Sequence, residues 1–282
     1  MQNKMMITEN APAKINLALH VRTRRADGYH ELETMFAFLA DGDRLCIAPA
    51  LANNFTVTGP FSAGLAGEGD NLVTRALAGF SDIFGAPGPL AITLDKHLPV
   101  ASGIGGGSAD AAATLRGLAR LSGVAVDDPR LFLLAEQLGA DVPACLLGKS
   151  AIGTGKGEHL APVGGVSNMP VLLVNPGIAV STAAVFRAWD GVDRGAMPMA
   201  GTLIDRAIAA RNDLAPPAMA AAPVIGEVVG ALSAMPGVVL ARMSGSGATC
   251  FALFETNDQR AAAAHRLSVA RPEWWLLEST LA

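Results

Sequence analysis

A chain of 282 residues with 51% hydrophobic side chains has material for one large core or two ordinary ones, taking roughly 100–200 residues per domain. Its 21 basic and 25 acidic side chains leave a net charge of −4, which excludes a basic nucleic-acid footprint and predicts no nucleic-acid partner. Cys46, Cys145 and Cys250 are odd in number and lack CxxC spacing, which argues against a disulfide framework or a zinc site and favours reduced, buried thiols. The opening MQNKMMITEN lacks the apolar stretch of a secretory signal. Leu160 to Phe186 carries no charge, but Pro162, Pro170 and Pro176 break it below the apolar run of about 18 residues that a spanning helix needs. The expectation is a cytoplasmic chain with no membrane partner.

In chain order, INLALHV (15–21) alternates as a half-buried strand, and TMFAFLA (34–40) and LCIAPA (45–50) read as two more. In DNLVTRALAGFSDIFG, apolar residues at 72, 73, 76, 77, 80 and 84 keep a helical period, with Asp70 or Asn71 as N-cap. LAITLDKHLP is a short strand that runs into LPVASGIGGGSADAAATL (98–115), with glycine at 103, 105, 106 and 107. Beyond the glycines, Ala111, Leu115 and Leu118 share one helical face and Arg116 and Arg120 another, which predicts a helix from about Ser108. DPRLFLLAEQLG is the next helix, closed by Gly139. Glycine and proline then become frequent, and the domain boundary is placed at 162/163. The second half reads as a strand at 170–175, a helix near 181–189, a polar loop at 190–201 and helices at 202–210 and 223–234. Strand, glycine turn and strand follow in GVVLARMSGSGATCFALFE, then the helix NDQRAAAAHRLS and the strand EWWLLEST. Strands and helices mixed in both halves predict an α+β protein of two layered domains, 1–162 and 163–282.

Strand, glycine loop and helix start together are a recipe for phosphate. First-turn N–H groups lack intrahelical partners, the helix dipole adds positive potential, and glycine lets backbone wrap an anion. Ser108 is placed either to hydrogen-bond a phosphate oxygen or to ligate magnesium. A Walker A loop is excluded, because no lysine follows these glycines and GTGKG (153–157) has the wrong spacing. A dinucleotide fingerprint is excluded as well: its third glycine would fall on Ser108 or Asp110. The plain alternative is a glycine turn that packs a helix tightly on a sheet.

These residues resemble the GHMP kinases (galactokinase, homoserine, mevalonate and phosphomevalonate kinases). LPVASGIGGGSADAAATL is similar to the family's central motif, APAKINLALHV (11–21) to its N-terminal motif and MSGSGATCFALF (243–254) to its C-terminal glycine motif. The three stand in family order over nearly the whole chain. RADGYHEL (25–32), LGADVP (138–143), NPGIAVST (175–182) and RNDL (211–214) resemble one branch, whose substrate is a diphosphocytidyl sugar alcohol of non-mevalonate isoprenoid synthesis. The resemblance implies an N-terminal domain like ribosomal protein S5 domain 2, a ferredoxin-like C-terminal domain, and transfer of the ATP γ-phosphoryl group to the 2-hydroxyl of that small molecule. It implies Mg2+ alongside ATP, and a monomer or weak homodimer.

Residue by residue, the resemblance makes Asp141 the general base and Lys14 the catalytic lysine. Alone, Asp141 reads as a turn residue on a short loop, and Lys14 as a solvated cation. Lys14 and Asn16 share one strand face opposite Ile15, Leu17 and Leu19, either a cleft wall or an exposed edge. Tyr29, the only tyrosine, and Phe186 are implied to flank the cytosine ring, with His30 hydrogen-bonding it and Thr182 and Asn16 nearby. Gly103, Ile104, Gly105, Gly106, Gly107 and Ser108 are implied to hold ATP, with Lys96 and Asn71 beside it and Ser108 as the metal ligand. The turn Ser244–Gly247 is expected to approach from the second domain, or to be a plain hairpin. Two departures from the family stand out: many of its members have glycine at positions matching Ala101 or Ser102, and no glutamate matches the magnesium ligand of some. RADGYHEL and Asp141 weigh against homoserine kinase. Retention of Lys14 and Asp141 weighs against a non-catalytic sensor, and a Rossmann oxidoreductase is the remote alternative.

Overall fold

A computed structural model describes residues 6–65 and 71–282. The elements are β1 (Ile7–Arg24), β2 (His30–Pro49), β3 (Asn54–Thr58), α1 (Leu72–Phe84), β4 (Leu90–Asp95), α2 (Gly106–Ser122), α3 (Pro129–Leu138) and α4 (Val142–Leu147). They continue with β5 (Ala151–Gly155), β6 (His159–Pro162), β7 (Pro170–Asn175), α5 (Thr182–Arg187), α6 (Leu203–Ala209), α7 (Ala215–Ala221) and α8 (Val224–Ser233). β8 (Val238–Met243), β9 (Cys250–Phe254), α9 (Asn257–Ala270) and β10 (Trp275–Thr280) complete the chain. The class is α+β, as expected.

Two compact units interleave along the sequence. The first takes Asp41–Val100, Gly105–Gly148 and the chain before Lys14; the second takes Lys14–Ala40, Ala101–Ile104 and Lys149–Ala282.

In the first unit the far half of β2 pairs antiparallel with β4, from Arg44↔Asp95 to Pro49↔Leu90, and β3 pairs parallel with β4. The two strands expected at 34–40 and 45–50 are one twenty-residue strand. Asp41-Gly42-Asp43 reads as a turn, but the strand continues through it. A Cβ at Gly42 would stand 2.1 Å from the Ala11 carbonyl oxygen, so only glycine admits this approach of two backbones. Helices α1, α2, α3 and α4 pack together, and α2 does so with small residues: Ala109, Ala111, Ala112, Ala113 and Ala119 are buried. A Cβ at Gly117 would lie 2.7 Å from the Ile47 Cδ1 of β2. The predicted arginine face is real, because Arg116 and Arg120 both reach the buried Glu9. Of the two proposed caps of α1, Asn71 is the one used, accepting from the N–H groups of Val73 and Thr74; Asp70 lies outside the described residues. Helix α4 escapes the sequence reading, because Pro143 looks like a stop, yet proline is well tolerated in a first helical turn.

In the second unit the near half of β2 pairs antiparallel with β5, from Leu32↔Gly155 to Phe36↔Ala151, and β5 pairs with β6. That hairpin occupies the glycine-rich stretch just before the placed domain boundary, where the sequence reading names no strand. Gly153 sits where a Cβ would be 2.8 Å from the Phe36 ring, so glycine here is a packing residue of a strand. A second, four-stranded antiparallel sheet has the order β10-β7-β9-β8. Numbered within that sheet, the order is fourth, first, third, second, with helices after the first and third strands. This is the ferredoxin-like arrangement the sequence implied. β7 is buried along its whole length, which explains why its sequence carries no charge. Its core gathers Val174, Trp189, Ile225, Phe254, Leu267 and Trp274. Helix α7 escapes as well, because Pro216 and Pro217 look like breakers, although they lie in its first turn.

Cys46, Cys145 and Cys250 are thiols outside any disulfide, with Cys46 half-buried and the other two buried; burial pushes Cys250 up to about 12. Among the described residues no helix is long and apolar enough to cross a membrane.

The loop at 190–201 is tied down in the second unit. Asp193 pairs with Arg22, Glu33 accepts from the Met197 N–H, and the buried His20 bonds the Gly195 carbonyl oxygen. Because His20 Nε2 accepts the Arg211 N–H at 3.2 Å, its proton sits on Nδ1 and the ring is neutral. Burial first, then the Arg211 charge, lowers its pKa below the ordinary 6.5. The unfolded chain therefore binds the proton more readily, so this contribution to stability is present above pH 6.5 and is lost as pH falls below it. Denaturant midpoints measured from pH 7.5 to 5.5 are expected to fall, and to fall less in His20→Gln.

Candidate active site

The loop between β4 and α2 begins with three residues at positive φ: Ala101 at 52°, Gly103 at 78° and Gly105 at 67°. Ala101 thus holds a conformation that favours glycine. Gly105 is the N-cap of α2 and offers no side chain to its first turn. The helix begins at Gly106, two residues earlier than expected, so Gly106, Gly107 and Ser108 form that turn. Ser108 is half-buried and Gly107 exposed.

In the second unit this loop meets the C-terminal glycine turn. Ser244 Oγ donates to the Gly103 carbonyl at 3.0 Å and accepts the Asn16 N–H at 3.1 Å. A Cβ at Gly103 would lie 2.5 Å from the Gly247 oxygen, and one at Gly245 would lie 3.2 Å from Asn16 Oδ1. The Lys14 N–H donates to the Ile104 oxygen at 2.9 Å. Lys14 is 2% exposed and Asn16 3%, so their strand face is not the exposed edge left open by the sequence. Lys14 Nζ donates to Asn16 Oδ1 at 2.9 Å, and Asn16 Nδ2 donates to Thr34 at 2.7 Å. The turn 244–247 is therefore more than a plain hairpin, since it joins Lys14, Asn16 and Gly103 in one cluster.

Nearby in the same unit, Thr182 opens α5 and its hydroxyl lies 2.8 Å from that of Ser246. The His30 and Phe186 rings are 5.0 Å apart, and Trp189 meets His30 edge-on at 5.8 Å. Burial, then the Arg24 charge, lowers the His30 pKa, and its Nε2 is buried with no hydrogen-bond partner among the described residues. Arg24 fixes the end of α5 by donating to the carbonyls of Arg187 and Trp189. Tyr29 follows a tight turn made by Asp27 and Gly28 and is 54% exposed, with Lys156 Nζ 4.9 Å from its ring centre.

In the first unit, Asp141 stands just before α4 at φ −88° and ψ −13°, half-buried. It stands in the short turn between α3 and α4, where the sequence reading places it. Its side chain does not cap α4, whereas Asp128 caps α3 through the Arg130 N–H. A cavity of about 260 Å³ is lined by Leu65, Asn71, Leu72, Leu94, Gly107 and Asp110. Lys96 is buried at 2% exposure between Asp43 and Asp110. Among the described residues no group of three His, Cys, Asp or Glu side chains is arranged for a metal.

Sequence reasoning missed Asp43, Asp110, Trp189 and Asn212. Asn212 offered a signal, since it lies in RNDL (211–214). Its Nδ2 donates at 2.8 Å to the carbonyls of Met243 and Gly245, and its Oδ1 accepts the Leu214 N–H. Asn212→Ala strands these buried groups and is expected to cost on the order of 1–3 kcal/mol, read as a lower urea midpoint with an unchanged slope.

The family profile described as GHMP kinases N terminal domain matches residues 71–149, and that described as GHMP kinases C terminal matches 192–270. The chain is 55% identical over 279 residues to the 4-diphosphocytidyl-2-C-methyl-D-erythritol kinase of Rhizorhabdus wittichii, covering 97% of this chain and 94% of that one. It is 49% identical to the protein of the same name from Novosphingobium aromaticivorans, covering 98% and 93%. A crystal structure of a 4-(cytidine 5'-diphospho)-2C-methyl-D-erythritol kinase superposes with TM-score 0.81 at 38% identity, covering 98% of this chain and 99% of that one. Homoserine kinase from Cytophaga hutchinsonii, at TM-score 0.72, 17% identity and coverage of 100% and 96%, shares the fold.

Proposed function

Because this chain belongs to the GHMP kinases, and within them to the 4-diphosphocytidyl-2-C-methyl-D-erythritol kinases, we propose that it transfers the γ-phosphoryl group of ATP to the 2-hydroxyl of 4-diphosphocytidyl-2-C-methyl-D-erythritol, giving the 2-phosphate and ADP. The observation that carries this reading is 55% identity along 97% of the chain to a kinase of that name. The sequence domains remain 1–162 and 163–282 in this proposal.

The reaction needs a proton acceptor, a held phosphate and stabilised charge. Asp141 takes the proton of the attacking hydroxyl. Its half-buried place in the short turn that opens α4, within LGADVP, supports that role. Lys14 stabilises charge on the phosphoryl group in transfer, and its burial strengthens the effect of its charge. The first turn of α2, Gly106 to Ser108, holds phosphate oxygens with Gly103, Ile104 and Gly105 shaping the approach. Its lack of a capping side chain supports this. Asn71 borders the nucleotide through the cavity it lines. The Ser108 hydroxyl would hold magnesium, a hard ion that takes oxygen ligands and keeps its waters, and the ion would supply shielding of phosphate charge there. Tyr29 and Phe186 flank the cytosine ring while Asn16 and Thr182 line the substrate. His30 reads the ring edge, and its buried Nε2 without a partner is the group a base would satisfy.

A coupled ADP-release assay with magnesium and ATP tests the reading: turnover is expected with the cytidyl substrate and not with homoserine or mevalonate. Turnover with either of these instead would overturn it. Asp141→Asn is expected to lower kcat by about 10²–10⁴-fold, the usual contribution of a general base, while ATP affinity holds. Retained turnover would remove Asp141 from the mechanism.

A further inference from the structure

Three ionisable side chains of the first unit are sealed together beneath the start of α2. Lys96 Nζ lies 2.5 Å from Asp43 Oδ2 and 2.7 Å from Asp110 Oδ2, with side-chain exposures of 2%, 0% and 3% respectively. Each member is anchored to a different part of the chain. Asp43 lies within β2, and its other oxygen accepts the N–H groups of His97 and Leu98, which open the approach to the glycine loop. Lys96 follows β4 directly and donates its own N–H to Thr58 at the end of β3. Asp110 belongs to α2 and borders the cavity that Asn71 also lines. Directly over the ammonium sits Gly106, where a Cβ would be 3.1 Å from Lys96 Nζ. The loop glycine and the buried cation are thus fitted to each other.

A buried ion pair is weak evidence for stability, because well-packed apolar side chains commonly serve as well; its better-attested use is to fix one geometry. Here the geometry fixed is that of the helix start carrying Gly106, Gly107 and Ser108. The cation is also too enclosed to present itself to a ligand outside. We propose that Lys96 is a positioning residue, which acts on nucleotide binding through Asp43 and Asp110 rather than by touching the nucleotide. The inference rests on the reading of this loop as the ATP site. The cluster holds two acids against one base. Burial, opposed by Lys96 and assisted by Asp43, raises Asp110 to about 7. Removing the ammonium alone therefore leaves buried negative charge without compensation, and removing all three charges does not.

The experiment measures binding of a non-hydrolysable ATP analogue with magnesium by calorimetry. The variants are Lys96→Met, Asp110→Asn and the triple variant Lys96→Met/Asp43→Asn/Asp110→Asn. Lys96→Met is expected to weaken binding at least tenfold. The uncharged triple variant is expected to return to within threefold of wild type, since Asp43→Asn keeps a carbonyl oxygen as acceptor for His97 and Leu98. A triple variant as weak as Lys96→Met would overturn the proposal and make the ammonium a direct nucleotide contact. Should Lys96→Met fail to fold, Asp110→Asn decides. It is expected to raise KM for ATP three- to tenfold with kcat within twofold, and unchanged KM overturns the proposal. Wild type that binds no analogue would overturn the ATP reading itself, whereas variants that track a binding wild type overturn this inference alone.

Discussion

The hydroxyl of Ser244 stands between the N–H of Asn16 and the carbonyl of Gly103, and the second unit is arranged around that one group. A single oxygen satisfies two backbone groups from segments far apart in sequence, which requires three stretches of main chain to come within hydrogen-bond reach. The space left is so narrow that Gly103 has no room for a side chain: a Cβ there would lie 2.5 Å from the Gly247 oxygen and 2.9 Å from the Ser244 oxygen. Lys14 and Asn16 are buried by this approach, and their polar atoms are satisfied by each other and by Thr34. Asn212 then holds the far side of the turn through two carbonyls. The glycines of the central and C-terminal motifs, together with Lys14 and Asn16 of the N-terminal motif, thus belong to one steric problem: main chain must pass main chain closely while buried polar groups stay paired.

The parts legible in the sequence were those whose cause is local. The period of α1, the cap at Asn71, the paired arginines of α2 and the charge-free run of β7 each follow from residues within a few positions of one another. The motif around Gly103 was legible because glycine spent so densely has few uses. What escaped depends on distant partners. Asp41-Gly42-Asp43 looks like a turn until Ala11 is seen against Gly42. Lys96 looks like a surface cation until Asp43, 53 positions away, is placed beside it. Pro143, Pro216 and Pro217 hid α4 and α7, because a proline that starts a helix and one that stops it look alike without the neighbouring turn.

Fold and chemistry separate cleanly in this protein. A homoserine kinase at 17% identity shares the architecture over the whole chain, so the two sheets and the glycine frame by themselves name no acceptor. The proposed reading of the acceptor rests instead on a cluster of the second unit. There the ring of His30 is pressed between Phe186 and Trp189, and Arg24 holds the helix end that carries both aromatics. Neutral, partly enclosed and with one nitrogen unsatisfied, His30 is built as a hydrogen-bonding group rather than as a charge.

The interleaving of the units also bears on how the chain is made. Lys14–Ala40 are made well before most of their unit, which also takes Lys149–Ala282. The bond from Asn16 to Ser244 spans 228 positions, and β10 pairs with β7 along its whole length. Such long-range closures form slowly, since the entropy of ordering the chain is lost before the contacts that offset it are made. The second unit therefore closes only once Lys149–Ala282 have joined Lys14–Ala40. Until they do, the apolar residues of β1 and of the near half of β2 lack their cover, which makes the half-built unit the stage of folding most open to misassembly.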